Sequence, residues 1–378
     1  MPSDLKVCHF TTVHNHYDVR IFFRECNSIL KAGFEVDLIA PAEKDQNVHG
    51  INIISIPKYN SRLKRFFLGQ FYLILKLRLK DYSLYHFHDP ELLFIGVVLK
   101  LMGKKVVYDI HENVAEQIKT KEWLPLRKLF SLIYKAIEYF PIRSMNLILA
   151  ENSYEQYYKR RAKHYRIVLN MPDLTFFKKF EIVDRSILNN GVFYIGGISE
   201  NRGIYQVIKA LSILKKQGVD FHFHCVGSFD GGVYEQIQSM REYHEISEMI
   251  SFYGFMDLNS GFEISRKCKV GISVLKPIGN YVESYSTKIF EYMAVGLPVV
   301  TSNFKLYSDV IDRNNCGICV NALDVVQVAD AIKTILTDRQ LASRFGKNGL
   351  ASVESQYSWS SQEKILIDFY SQILRTES

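Results

Sequence analysis

Residues 283–298 read ESYSTKIFEYMAVGLP, with Glu283 and Glu291 eight apart around a hydroxyl-rich turn. A helix starting near Ser286 and ending at Gly296, with Pro298 preventing continuation, would place Thr287 and Lys288 each within roughly 60° of Glu291 on its surface. The positive end of that helix would offer the amides and hydroxyls of Ser286 and Thr287 to an anion, and Lys288 would add a cation. Glu291, one turn further on, has the geometry to accept two vicinal hydroxyls. A ribose attached to a diphosphate has that layout.

A second anion-binding pattern lies upstream, in YIGGISENRGIYQV (194–207). Gly196 and Gly197 follow a strand, and a helix opens near Gly203. Glycines let the backbone approach a phosphate, helix amides attract it, and Arg202 would supply charge. Three polar strand ends occupy the first half of the chain. LYHFHDPELL (84–93) carries His86, His88 and Asp89 before Pro90. VVYDIHEN (106–113) carries Asp109, His111 and Glu112, which suit either acceptor hydroxyls or a plain polar loop. VHNHYDVRIFF (13–23) carries His14, His16, Asp18 and Arg20. His86 shares its side of the strand with His88 but lies deeper, so it is assigned to the core.

These residues need a scaffold, and the hydrophobic pattern predicts one. VCHFTT (7–12), EVDLIA (35–40), INIISI (51–56), LYHFH (84–88), KVVYDI (105–110) and NLILA (146–150) have strand character, with helical spacing over 21–32 and 91–102. The same alternation restarts with GVFYIGG (191–197), FHFHCVG (221–227), ISFYGF (250–255), KVGISVL (269–275) and PVVTS (298–302). Helices fall near 203–216, 234–248 and 325–337. The pattern implies βαβ units and two doubly wound parallel-sheet domains, over 1–180 and 181–358. Ligands in such sheets gather at the carboxyl ends of strands, where these polar loops lie. WSSQEKILIDFYSQIL (359–374) reads as a closing amphipathic helix.

At 378 residues and 47% apolar, the chain can bury a core in each half. No run of 18 apolar residues occurs, and the N-terminus reads as a first strand rather than a signal peptide. The six cysteines are scattered, and the pair Cys316 and Cys319 lacks the companions of a zinc site. A reducing, cytoplasmic compartment is the expectation. Residues 1–180 hold 28 Lys+Arg against 18 Asp+Glu, whereas residues 181–378 hold 19 against 22. The basic half implies an anionic neighbour. Within it, 61–80 and 121–140 mix cations with aromatics as membrane-surface helices do. No motif that reads nucleic acid is present.

The E-x7-E pattern with its glycine-proline stop, together with the glycine loop, resembles the retaining GT-B glycosyltransferases of family 4. The resemblance covers nearly the whole chain and implies two Rossmann-like domains facing a central cleft, with the C-terminal helix 359–378 packing back on the first. It implies that Glu291 holds the nucleotide ribose, Glu283 lies by the donor sugar, and amides near Ser286 and Thr287 touch the diphosphate. His88 matches the family's strand-end histidine beside the donor sugar, and the base would be read by backbone near Tyr253 and Gly254. The family commonly carries an arginine where this chain has Gly197 and a lysine where it has Arg202. Lys288 is the candidate replacement for the missing cation. The implied catalytic set is therefore Glu283, His88, Arg202 and Lys288, with His14, Asp18, Arg20, Asp109, His111 and Glu112 on the acceptor side.

No D-x-D occurs, so neither a metal nor a cofactor is expected. The implied reaction moves a sugar from a nucleotide-diphospho-sugar, a UDP-sugar, to a lipid-linked glycan in O-antigen or capsule synthesis, on the inner face of the plasma membrane. Two alternatives stay open: a nucleotide-sugar 2-epimerase of the same fold, and a non-catalytic member that binds a nucleotide or a partner.

Overall fold

The computed structural model describes residues 5–375 apart from 79, 121–123, 183 and 186 and the side chain of residue 120. Parts of both basic stretches, 79 and 121–123, and the end of the closing helix, 376–378, therefore lie outside the described residues. The chain forms two compact units, Met1–Asn170 with Trp359–Ser378, and Met171–Ser358.

The first unit holds β1 (Lys6–Phe10), β2 (Glu35–Pro41), β3 (Gln46–Val48), β4 (Ile51–Ile56), β5 (Leu84–Phe87), β6 (Val106–Ile110), β7 (Asn146–Leu149) and β8 (His164–Ile167). Their order in the sheet is β3-β4-β2-β1-β5-β6-β7-β8, and β3 alone among these strands is antiparallel to its neighbour. The central strands are wholly buried, β5 and β6 at every position, because helices cover both faces of a parallel sheet. β3 and β8 were not anticipated. Both are short and sit at an edge, where one exposed side removes the need for an apolar run.

The second unit holds β9 (Gly191–Ile195), β10 (His222–Val226), β11 (Ile250–Phe252), β12 (Cys268–Ser273), β13 (Val299–Ser302) and β14 (Gly317–Val320). Their order is β11-β10-β9-β12-β13-β14, all parallel. The strand order reverses between β1 and β5 in the first sheet and between β9 and β12 in the second. Those are the crevices where the polar loops emerge.

The boundary differs from the expected 180/181. Residues 171–185 belong to the second unit, because Phe177 and Phe180 pack on Phe262. Arg185, 1% exposed, donates to the carbonyls of Val295, Ser265 and Cys268. In the first unit, helix Trp359–Arg375 buries Leu366, Phe369, Tyr370 and Ile373. Trp359 Nε1 donates to Ser28 Oγ at 2.8 Å, and Gln362 Oε1 accepts from the Leu169 amide at 2.9 Å. None of the described helices is long and apolar enough to cross a membrane.

Candidate functional site

In the second unit the loop after β9 and the loop after β12 meet beside the reversal point. Gly196 has φ +126°, and a Cβ there would stand 3.2 Å from both Arg202 Nη1 and Lys288 Nζ. Only glycine leaves that space open. Arg202 lies in the turn Glu200–Arg202 that leads to helix Ile204–Lys216 through Gly203, and its Nη1 contacts the Gly197 carbonyl at 3.4 Å. Lys288 lies in the first turn of helix Thr287–Ala294. Two cations from two different loops therefore converge on one glycine.

Lys288 is 7% exposed, and its Nζ has no hydrogen-bond partner among the described residues. It lies over the Tyr194 ring, 4.0 Å from ammonium to centroid. Burial and the neighbouring Arg202 lower its pKa to about 7, although Glu291 and Cys225 pull the other way. A buried amine without a partner, beside a guanidinium and under a glycine loop, is arranged to receive an anion.

The remaining donor-side residues surround this point. The helix Thr287–Ala294 has Ser286 at its N-cap, whose Oγ accepts from Ser273 Oγ at 3.0 Å rather than from any helix amide. Ser286 and Thr287 are half-buried, and the first amides of the helix point outward from its positive end. Glu283 follows the turn Gly279–Val282 and Glu291 sits one turn into the helix, both half-buried. Tyr307 Oη pins the intervening loop by donating to the carbonyls of Tyr281 at 3.1 Å and Ser284 at 3.0 Å. Gly254 has φ +70°, and its carbonyl accepts from the Gly227 amide at 2.8 Å. Tyr253 Oη pairs with His224 Nδ1 at 2.9 Å.

The first unit assembles a different site at the carboxyl ends of β1, β5 and β6. Asp109 is fully buried and clamped by Arg20, whose Nε and Nη2 donate to its two oxygens at 3.0 Å each. Burial would raise the Asp109 pKa, but Arg20 and His111 hold it well below the ordinary range. Asp109 accepts from His111 Nε2 at 2.6 Å and faces His88 Nδ1 at 3.3 Å. His88 Nε2 then meets His9 Nδ1 at 3.0 Å, His9 Nε2 meets Tyr370 Oη at 3.2 Å, and Tyr370 Oη meets His86 Nδ1 at 2.5 Å.

A carboxylate only accepts, so the tautomers along this chain follow one by one. His88 carries its proton on Nδ1, His9 on Nδ1 and His86 on Nδ1, while the Tyr370 hydroxyl donates to His9. The one nitrogen left over is His86 Nε2, which is indeed without a partner. Burial keeps all three rings neutral, lowering His88 to about 4 and His9 and His86 well below their usual value. Glu25, at the centre of the cluster, has Oε1 3.0 Å from Arg20 Nε, but Asp109 takes that N–H. Burial, then Asp109, push its pKa well up, so Glu25 is held protonated. Two sets, His9–Glu25–His86–His88 and His88–Asp109–His111, bring candidate ligand atoms within 4.8 Å of one another. In the first, however, the His9 and His88 nitrogens are spent on each other.

This arrangement changes how several sequence candidates are placed. His88, expected beside the donor sugar, is 1% exposed with both nitrogens engaged. Arg20 and Asp109, expected to face an acceptor, form a buried ion pair instead. Asp18 caps the helix Val19–Cys26, accepting from the amides of Arg20 and Ile21, and pairs with His14 Nδ1 at 3.2 Å. Burial would raise Asp18, yet His14 and the helix amide hold it low. His14, His88, His111 and Glu112 do line a cavity of about 430 Å³ in this unit, together with Arg62, Arg65, Asp89 and Gln117. Sequence reasoning missed Glu25, His9 and Tyr370. Nothing local marks them, since Tyr370 lies 361 residues from His9.

Comparison with known proteins agrees with this architecture. Residues 178–351 match the family model described as Glycosyl transferases group 1, and residues 19–167 match Glycosyltransferase Family 4. Similar curated proteins include alpha-D-kanosaminyltransferase of Streptomyces kanamyceticus, 25% identical over 52% of this chain and 48% of that protein. Another is the capsular polysaccharide biosynthesis glycosyltransferase CapM of Staphylococcus aureus, 24% identical over 48% and 46%. The chain thus spans about half the length of the curated relatives it matches. Among solved structures, sucrose-phosphate synthase of Thermosynechococcus elongatus superposes with a TM-score of 0.77 at 18% identity, over 98% of this chain and 99% of that one. Anabaena HepE in complex with UDP and glucose follows at 0.71 and 13%, over 97% and 100%.

Proposed function

Since the chain belongs to the group 1 and family 4 glycosyltransferases of the GT-B fold, we propose that it moves a sugar from a UDP-sugar to a lipid-linked glycan, with retention and without a metal. The observation that carries this reading is the meeting of Arg202 and the unpartnered Lys288 at Gly196. Both would neutralise the diphosphate as the glycosidic bond to it breaks, which is where negative charge grows. Amides of Ser286 and Thr287 add donors at the helix terminus. Glu291 would take the ribose hydroxyls and Glu283 the donor sugar, while backbone at Tyr253 and Gly254 would meet the base.

The acceptor hydroxyl would attack on the face the diphosphate leaves, a phosphate oxygen taking its proton, so no side-chain nucleophile is assigned. The cavity of His14, His111 and Glu112 is the proposed acceptor side. His88 lines the same cavity and is anchored to Asp109. The basic stretches 61–80 and 121–140 would bring the enzyme to the inner face of an anionic membrane where a lipid-linked O-antigen or capsule glycan is built. HepE with UDP and a capsule-synthesis relative favour this donor and pathway class.

A melting-temperature panel of nucleotide-sugars tests the reading. A donor at about 100 times its Kd stabilises the protein by about 2.7 kcal/mol. A rise with one UDP-sugar, followed by transfer to a lipid-linked glycan, is the expected result. A flat response to every nucleotide-sugar would overturn it.

A further inference from the structure

Three helices of the first unit leave apolar side chains in the open to an unusual degree. Phe67 is 66% exposed in the turn before helix Gln70–Leu77, Phe94 68% and Leu101 74% on helix Leu93–Leu101, and Leu132 63% and Ile137 61% on helix Arg127–Ser144. The second and third of these helices pack side by side. Between the first and second runs a groove of about 610 Å³, walled by Ile74 and Leu77 on one side and by Phe94, Val98 and Met102 on the other. Soluble surfaces do not ordinarily carry such an apolar tract without an occupant.

The charge around it selects the occupant. Arg62, Lys64, Arg78, Lys128 and Arg143 are exposed. The acidic groups nearby are already taken: Asp81 by Lys104 at 2.8 Å, Glu91 by Arg65 at 2.8 Å and 3.0 Å, and Glu138 is buried. At the mouth of the groove Lys80 is held by Asp37 at 2.9 Å, whereas Arg78 has no ion-pair partner among the described residues. A second copy of this face would bring like charges together, but a leaflet of anionic lipid would not.

We propose that the groove takes one hydrocarbon chain of an anionic membrane phospholipid, with its phosphate on Arg78. The inference rests on the membrane contact proposed above and makes the helix Leu93–Leu101, outside both basic stretches, its centre. An apolar chain would fill the space between the two helix walls and remove them from water. The surrounding aromatics and cations would lie at headgroup level, as in interfacial helices.

Sedimentation with vesicles of phosphatidylglycerol and phosphatidylethanolamine, compared with phosphatidylcholine vesicles, reads the contact. Melting-temperature shifts with monomeric dioctanoyl-phosphatidylglycerol read the groove. Wild type is expected to prefer the anionic vesicles and to be stabilised by the short-chain lipid. Arg78→Gln should weaken vesicle binding about fivefold, the usual share of one cation near such a surface. Val98→Glu with Met102→Glu, both at exposed positions, should abolish both responses. Leu132→Glu with Ile137→Glu should reduce vesicle binding and leave the short-chain response intact. An unchanged short-chain response in the groove variant overturns the groove assignment alone. Equal sedimentation with both vesicle types overturns the membrane contact beneath it. A dimer in gel filtration that the groove variant dissociates would give the face to a second copy and overturn both.

Discussion

Replacing Lys288 by Met tests the centre of the proposed donor site. The methylene stem is kept, so the core loses little packing, and only the ammonium goes. The groups that act on the ammonium are Arg202, which disfavours its charge, Glu291 and Cys225, which favour it, and the ring of Tyr194. The drop from the ordinary 10.5 to about 7 means that holding the charge in the empty folded protein costs roughly 5 kcal/mol. Because the folded value is the lower one, the unfolded chain binds the extra proton between about pH 7 and 10.5. Wild-type stability should therefore climb with pH through that window, with the full cost present below about pH 7. Lys288→Met should remove this slope and be the more stable protein at pH 6.

Donor binding should show the opposite dependence. An intact nucleotide-sugar has a fully ionised diphosphate diester, which favours the charged lysine. At pH 7.5 binding should draw in about three quarters of a proton, and above pH 8 affinity should fall roughly tenfold per pH unit. Titration calorimetry in buffers of different ionisation enthalpy measures the proton directly. In Lys288→Met the uptake should vanish and affinity at pH 7 should fall by about 10- to 100-fold, the worth of a charge-assisted hydrogen bond. Proton-independent binding by wild type, or undiminished affinity in the variant, would refute the reasoning.

The buried cluster of the first unit separates two carboxyls of similar depth. Glu25→Gln should change stability by less than about 1 kcal/mol, since Glu25 is held neutral. Asp109→Asn should cost about 3–5 kcal/mol by leaving Arg20 buried without its partner, measured by urea unfolding at pH 7. The Asp109 contribution is present at neutral pH and lost in acid, because its folded value lies below the ordinary one. In the second unit, Gly227→Ala would place a Cβ 1.9 Å from the Gly196 carbonyl oxygen at φ +147°. A loss of roughly 2–4 kcal/mol with weakened nucleotide binding is expected by denaturation and calorimetry.

The parallel-sheet architecture was legible because apolar runs alternate with helical spacing, and that pattern is local. The stop at Gly296 was legible for the same reason: its φ of +73° favours a glycine. Edge strands Gln46–Val48 and His164–Ile167 were not, since half-exposed strands need no apolar run. That the second unit starts at 171 rather than 181 was not legible, because the packing of Phe177 and Phe180 on Phe262 and the bonds of Arg185 to three backbone carbonyls exist only in the folded chain.

The donor loops show the division most clearly. Glycines at 196 and 197, a cation at 202 and the hydroxyl-lysine turn before Glu291 are written in short stretches, since a phosphate is met by consecutive backbone and one helix end. That Lys288 stands 3.2 Å from where a Gly196 side chain would be, unpaired and half-discharged at neutral pH, depends on two loops brought together by β9 and β12. The histidines of the first unit follow the same rule. Their types suggested site chemistry, but burial and the line from Asp109 through His88 and His9 to Tyr370 set which nitrogens hold protons. Burial and partners from distant strands exist only in the folded chain, and a pKa is a property of those surroundings.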